Sequence, residues 1–539
     1  MLLRNHGEES LMHRILLLAL CAGVLLAQTE RGNITGQVLD QSGAAVGGAS
    51  VSITNRATNT VLQLSSNAAG DYNAPGLAPG GYRIEVTAPG FKRFVQDNIT
   101  LTAGNTVRLD AQLQVGQLSE TVEVSAAVAQ IQTENAKITT AVQNKMVDEL
   151  PLVVGGELRN PFNLVSIAAE ARGTGDRIQL GGGQAAAWDA TLDGVSVTTN
   201  RSANATEIAY NSPSLEAITE FAIDTNGFKA EYGQAGGGVM TFVSKSGTNE
   251  LHGSAYEFAR NDKLDARAWF AQSRSVYKQH DFGATLGGPV WLPKIYNGRN
   301  RTFFFVSYEG FRNRVGANDA IRTVPTTEMY EGDFTRWVDA RGSLLQIYDP
   351  ATTRPNPNGS GFVRDPFAGN RIPQNRFSAF SRQVMPYGQA VKPNRPQAIP
   401  GTSDYVRNNY ITTSGTLTSP TDKGSMKFDH NIAERHRLGF MYNRTAFRQD
   451  IGAGGPPGLP VPLWDGQVQT FDTSVYRLSY DWTISPTLLN HLAAGGNKFL
   501  KNSFTPTSGQ DWKDKLCMKG AVDCNVAFPR VAFSDFSQW

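Results

Sequence analysis

The sequence predicts a mainly β chain: an N-terminal Ig-like β-sandwich, a middle stretch of different character, and the first part of a transmembrane antiparallel β-barrel. Three observations predict this. Residues 31–115 alternate apolar and polar in short bursts separated by turn residues, as in a small sandwich. After His252 the alternating stretches lengthen and carry Tyr and Phe on one face, as strands of a membrane barrel do. Beyond the N-terminus no apolar stretch is long enough for a transmembrane helix, so any crossing must be made by strands closed into a barrel.

A chain of 539 residues is expected to hold several domains. Its formal charge of +2, without a long basic run, argues against a nucleic-acid partner. At the N-terminus, Arg4, His13 and Arg14 precede an apolar run from Ile15 to Leu26, and the chain turns polar at Gln28. Residues 1–27 therefore read as an export signal cleaved near Ala27; an uncleaved anchor and a lipoprotein signal at Cys21 are the alternatives. If Cys21 leaves with the signal, Cys517 and Cys524 remain. Their spacing would close a small loop by a disulfide in an oxidising compartment, or they stay as two free thiols.

In the first part, Ile34, Gly36 and Val38 share one face of a strand, as do Val51 and Ile53, then Tyr82, Ile84 and Val86, then Val107, Leu109, Ala111 and Leu113. Turn signals at Asp40 to Gly43, Gly70-Asp71, Pro79 to Gly81 and Pro89-Gly90 separate them. The segments GNITGQVLDQSGAAVGGASVSI and GLAPGGYRIEVTAPGF resemble the carboxypeptidase regulatory-like domain, which implies a carbohydrate-binding-like sandwich over 31–115 and no peptidase activity. The lone H-x-x-E, His6 to Glu9, falls in the signal region.

Next comes a short extended strand, Glu120, Thr121, Val122, Glu123, Val124, Ser125 and Ala126. It resembles the TonB box of TonB-dependent outer-membrane transporters, which would pair with a TonB-type partner by adding a strand to its sheet. Residues 130–249 hold Glu149 to Leu152, Arg159-Asn160-Pro161-Phe162, Asp193-Gly194, and a run from Tyr232-Gly233 through Gly236, Gly237 and Gly238 to Lys245. That order resembles the α/β plug domain of the same receptors. The three glycines are expected to allow close backbone approach and positive φ, with Val239, Thr241 and Val243 alternating in the strand that follows. One departure is IAAEARG at Ile167 to Gly173, where such plugs carry Pro-Gly-Val.

From 252 to 539 the resemblance implies a partial outer-membrane barrel. In Thr302 to Gly310, Phe304, Val306 and Tyr308 are expected to face lipid, with Ser307 and Glu309 facing the lumen. Met426 and Phe428 lead through a turn to Leu438, Phe440 and Tyr442, and Tyr476 to Trp482 lead to a turn at Ser485-Pro486. The 313–421 stretch shows little strand pattern and is expected to be the longest extracellular loop. NGRNRTFFFVSYEGFR, GDFTRW and IYDPATT resemble the Oar-like subgroup of these receptors. With seven or eight strands after His252, against about 22 in plugged transporters, the chain is expected to be an N-terminal fragment. Trp539 could instead be a terminal aromatic signal, but Ser534 to Gln538 do not alternate cleanly.

No catalytic constellation emerges. Ser275 to Lys278 matches S-x-x-K without its partner motifs, the seven His are scattered, and Asp193 and Glu309 have structural roles available. Neither a metal site nor a cofactor is expected. The resemblance implies a transporter in the bacterial outer membrane, its sandwich periplasmic and its long loops extracellular, with the plug gated through TonB and no bond broken. The substrate stays open between carbohydrate, peptide and siderophore; Arg371 to Phe380 could grip a glycan or peptide, or be ordinary loop structure. A carbohydrate-binding or adhesion protein anchored in the outer membrane is the rival reading.

Overall fold

The computed structural model describes residues 31–117, 121–124 and 138–143, most of 159–516 with short interruptions (199–210 and 452–461 are the longest), and residue 528. Residues 1–27, Glu120, Ser125, Ala126, Cys517 and Cys524 lie outside the described residues.

Alternation builds the sandwich. In one sheet β1 (Gly32–Leu39) is the hub, flanked by β4 (Asp71–Leu77), β7 (Thr106–Arg108) and β8 (Ala111–Gln112). The facing sheet runs β3 (Val61–Ser65), β2 (Ser50–Asn55), β5 (Gly80–Thr87), β6 (Arg93–Leu101), β9 (Thr121–Val124). Ile34, Val38, Val51, Ile53, Ile84, Val86, Val107, Leu109 and Leu113 all enter one shared core, the inward set that the alternation predicts. Each such side chain contributes about 1.5–3 kcal/mol through burial.

Gly36 sits on the same face for a steric reason. A Cβ there would lie 1.8 Å from the Leu109 carbonyl oxygen, which also accepts a 2.6 Å hydrogen bond from the Tyr72 hydroxyl. Gly36→Ala is therefore expected to destabilise the sandwich by about 1–3 kcal/mol. Thermal unfolding of the full chain would read this as a lowered first transition; an unchanged transition would show that the backbone yields more easily.

The middle domain is built on a mixed five-stranded sheet, ordered β10 (Ile138–Gln143), β13 (Ile218–Asn226), β14 (Gly238–Ser244), β11 (Trp188–Leu192), β12 (Val195–Ser196), beside a short two-stranded ladder of Ala171–Arg172 with Gln179–Leu180. Only the β14–β11 pair is parallel. Phe162 packs edge-on to Phe242, which stacks on Phe221; Trp188, Leu192, Ile223 and Met240 complete the core. Both β11 and β14 are buried at every position. The expected alternation of Val239, Thr241 and Val243 holds, yet both faces of the strand are shielded. Buried strands of this kind need not alternate in polarity.

The third part is an antiparallel sheet in chain order: β15 (His252–Asn261), β16 (Tyr277–Pro289), β17 (Thr302–Gly316), β18 (Thr421–Ala433), β19 (His436–Ile451), β20 (Gln467–Ser485) and β21 (Leu488–Phe504). A two-residue strand, Thr416–Leu417, adds to the end of β17. Val306, Tyr308, Met426, Phe440, Tyr476, Leu478 and Leu492 are exposed on the outer face. Phe303, Phe305, Ser307 and Glu309 are buried on the inner one. This is the expected lipid and lumen partition, with an apolar outer band of the kind that faces hydrocarbon.

Connections differ sharply between the two ends of the sheet. Two residues join β18 to β19 and two join β20 to β21, whereas 317–420 join β17 to β18. That connection starts after Gly316 and not at 313, because β17 pairs on through Val315 with Tyr277 and Leu417. It is also folded. Its helix α1 (Ala379–Gln389) contributes Val384 to a core with Val324, Val391 and Tyr410, closed by Leu463, Trp512 and Leu516.

The middle domain lies against the inner face of the barrel sheet, where Met441 and Val475 join its core. Asn211 donates to Asn497 at 2.8 Å, and Thr445 donates to the Ser212 carbonyl at 3.3 Å. The sandwich sits at the short-turn end. Asn431 donates to Thr60 at 3.1 Å, Arg31 pairs with Asp481 at 2.9 Å, and the Asn249 amide donates to the Ala57 carbonyl at 3.0 Å.

Candidate functional site

The strand read from sequence as free for a partner is already docked along one side. Thr121–Val124 pairs in parallel with β6 through Arg93↔Thr121, Phe94↔Val122, Val95↔Glu123 and Gln96↔Val124. Arg93 fastens it, its Nε and Nη2 donating to the Thr121 hydroxyl at 3.3 and 3.1 Å. Parallel pairing with a strand about 28 positions earlier leaves no mark in local periodicity, so sequence reading had no signal for it. β9 ends the five-stranded sheet, and its other side has no partner strand among the described residues.

The Asp193-Gly194 pair forms the tight turn between β11 and β12, with φ of 46° and 78°. Left-handed conformation at both central residues suits a type I′ hairpin turn and favours Asp followed by Gly. The Asp193 carboxylate accepts from the Ser244 amide at 2.8 Å and from the Ser244 hydroxyl. It also accepts from Lys427 Nζ at 3.0 Å, which ties the middle domain to β18. Burial by itself raises the pKa of this carboxyl, but Lys427 and the Ser244 donors outweigh it and hold the group below the usual carboxylate range.

Tyr232 is buried, and the amides of Gly236 and Gly237 both donate to the Ala187 carbonyl, at 2.9 and 2.7 Å. Close approach holds at Gly237, where a Cβ would meet the Leu180 carbonyl at 2.7 Å, and at Gly238, where it would meet that of Asp224 at 2.9 Å. Gly236 has room for a Cβ, and neither Gly236 nor Gly237 has a positive φ. The expected left-handed run at those two positions is thus corrected: Ala187 turns the chain through hydrogen bonds. The Lys245 amide donates to the Ala217 carbonyl at 2.7 Å.

A buried ionic cluster joins the same domain to β15, β16, β17 and β18. Arg159 lies 3.0 Å from Asp281, 3.4 Å from Glu216 and 3.7 Å from Glu309. Its guanidinium stacks over Tyr256 and Phe258 at 4.5 and 4.6 Å. Glu309 accepts from Ser214 at 2.7 Å and from Tyr256 at 2.9 Å, and the fully buried Lys423 stands 3.9 Å away. Alternation places Glu309 on the inner face, but the cross-strand register that brings Asp281 and Lys423 beside it cannot be read from one strand.

In the long connection a cavity of about 480 Å³ is lined by Tyr330, Phe334, Tyr348, Phe367, Phe377 and Phe380. Arg376 stands at its edge, held by both oxygens of Asp349 at 2.8 and 2.6 Å. The cavity takes in part of the Arg371 to Phe380 stretch flagged from sequence. No cluster of His, Cys, Asp and Glu suited to a metal occurs among the described residues.

Comparison with known proteins accords with this geometry. Residues 243–539, more than half of the chain, match the family described as "Outer membrane beta barrel domain". The chain belongs to this outer-membrane β-barrel family. Membership places it in the bacterial outer membrane and makes the outer apolar face of β17 to β21 its lipid face. Residues 33–114 match the carboxypeptidase regulatory-like domain, in agreement with the sandwich.

Within the family's reach, the chain is similar to the TonB-dependent transporter Oar of Myxococcus xanthus, 26% identical over 345 residues. The match covers 61% of this chain but only 32% of that protein, so the chain spans about a third of the length of the relative it matches. Among solved structures, the outer membrane transporter YddB of Escherichia coli overlaps 69% of the chain and 40% of its own, at 9% identity and a TM-score of 0.40. Hydroxyquinol 1,2-dioxygenase of Pseudomonas putida overlaps 16% of the chain and 57% of its own, at 11% identity and a TM-score of 0.14.

Proposed function

We propose that this chain acts in TonB-dependent transport across the outer membrane, with the middle domain as a plug moved by pulling on the 120–126 strand. The observation that carries the reading is the order along the chain. An edge strand suited to partner pairing, β9, is followed after 13 residues by β10, the edge strand of the sheet that packs on the barrel's inner face. Tension applied at β9 reaches β10 first, and β10 leaves β13 without disturbing the pairs behind it. The short-turn end, where the sandwich sits, is then periplasmic, as turn lengths in such barrels imply. The 317–420 connection is extracellular.

Gating in this scheme is mechanical. The Asp193–Lys427 pair and the Arg159 cluster hold the plug at rest, and both must part for it to shift. Deleting residues 120–126 is expected to abolish energised uptake while leaving surface binding of the substrate intact. Uptake measured in cells with and without the deletion tests this, and unchanged uptake would contradict it.

The aromatic cavity is the proposed extracellular contact for substrate. Six rings and one fixed Arg suit the apolar side chains of a peptide or the faces of sugar rings. Phe377→Ala is expected to weaken substrate binding to cells about tenfold, equivalent to ~1.4 kcal/mol, without changing barrel stability. Equal binding by the variant would remove the cavity from the substrate path.

A further inference from the structure

We propose that the energy-coupling partner's strand adds to the outer side of β9 while β9 remains paired to β6, so that the sandwich is part of the unit that bears the pull. The inference rests on the TonB-dependent reading above and concerns how the partner engages. In an extended strand the N–H and C=O groups of successive residues point to opposite sides. Of the four residues Thr121–Val124, two serve β6 and two present their backbone groups outward, where no strand meets them among the described residues. Backbone groups in this state seek partners, and an exposed sheet edge is a template for strand addition.

The occupant follows from that chemistry and from position. A row of alternating donors and acceptors takes an extended backbone, and this one lies at the short-turn end, 13 residues ahead of the plug's edge strand. Pairing with β6 also holds β9 in extended form before the partner arrives, which removes part of the ordering cost of binding. Arg93 strengthens that hold through the Thr121 hydroxyl and stands 3.5 Å from Glu85 on β5.

There is a mechanical consequence. A pull on the partner is shared between the chain leading to β10 and the sandwich itself. The sandwich meets the barrel across a cavity of about 320 Å³ whose lining mixes the charged Arg31, Asp429, Arg437 and Asp481 with the apolar Leu77, Phe303 and Phe440, and a mixed interface of this kind separates more readily than a wholly apolar core. The Arg31–Asp481 pair would part as the sandwich moves.

The alternative is that β9 must leave β6 before a partner can bind, and the two mechanisms give opposite results. In the 539-residue chain with Cys21, Cys517 and Cys524 replaced by Ser, Arg93→Cys and Thr121→Cys would form a disulfide that locks β9 to β6. The probe is the purified C-terminal domain of a TonB-type protein, titrated against the oxidised and reduced forms. We expect the oxidised form to bind at least as tightly as the reduced form of the same variant, since strand addition leaves β9 in place. A loss of about tenfold or more on oxidation, reversed by reduction, would overturn the proposal. Arg93→Ala gives a second reading: loosening β9 should weaken binding severalfold, whereas tighter binding would favour release. Absence of binding by every form, the unmodified chain included, would instead remove the TonB-dependent reading on which the inference rests.

Discussion

Asp193→Ala is expected to loosen the middle domain from the barrel wall by about 3–5 kcal/mol, the usual cost of stranding one partner of a buried ion pair. The carboxylate is almost wholly buried and Lys427 is 16% exposed, so water does little to replace the lost partner. Substitution also frees the Ser244 amide and hydroxyl, which tie the turn between β11 and β12 to the end of β14. Adding Lys427→Met should restore part of the loss, because an apolar side chain tolerates the site that a lone ammonium does not. Urea unfolding of the full chain in detergent checks both variants; a change below about 1 kcal/mol for Asp193→Ala would place the pair among the weak surface type.

The pH dependence has a definite sign. A carboxyl held below its unfolded value contributes stability that is complete above that value and is lost as pH falls through the lower, folded one. The Asp193 contribution should thus be intact at neutral pH and disappear only under acid conditions below the ordinary aspartate range. Asp193→Asn should flatten that part of the acid unfolding curve.

Arg159→Ala is expected to have an effect of similar size, about 3–5 kcal/mol, for a different reason. It leaves Asp281, Glu309 and Glu216 facing one another with Lys423 as the remaining buried cation beside Glu309, and it removes a guanidinium stacked on two rings. Arg159→Lys should recover only part, since an ammonium keeps the charge but loses the planar fork and the stacking. A protease-accessibility assay on the middle domain reads the outcome. Equal protection of wild type and Arg159→Ala would show that the cluster does not hold the middle domain.

Much of this architecture was legible in residue order. Period-two alternation is local, so Ile34, Ile84 and Leu109 could be assigned to the sandwich core, and Val306 and Tyr308 to lipid, without knowing their neighbours. The Asp193-Gly194 turn was equally local, because few other pairs accept two left-handed residues in succession. What escaped depends on distant partners. The β9–β6 pairing, the register that gathers Asp281, Glu309 and Lys423, and the docking of Arg31 on Asp481 all join segments whose own patterns say nothing of one another.

The long connection escaped for a further reason. It is rich in Asn and Pro and lacks periodicity, which reads as loop, yet its backbone is satisfied by side chains. Asn370 donates to the Phe334 and Leu345 carbonyls and accepts from the Ile347 amide. Asn409 bridges both backbone groups of Val324 and the Tyr405 carbonyl. Two amides thus do locally what a sheet ladder does elsewhere, and Asn370 ties together Phe334 and Ile347, which both line the aromatic cavity.

The most direct test of the central claim is a calorimetric titration of the full chain with the C-terminal domain of a TonB-type protein, set beside the same chain lacking residues 120–126. The TonB-dependent account predicts saturable one-to-one binding for the intact chain and none for the deletion. Equal binding by both, or by neither, would contradict it.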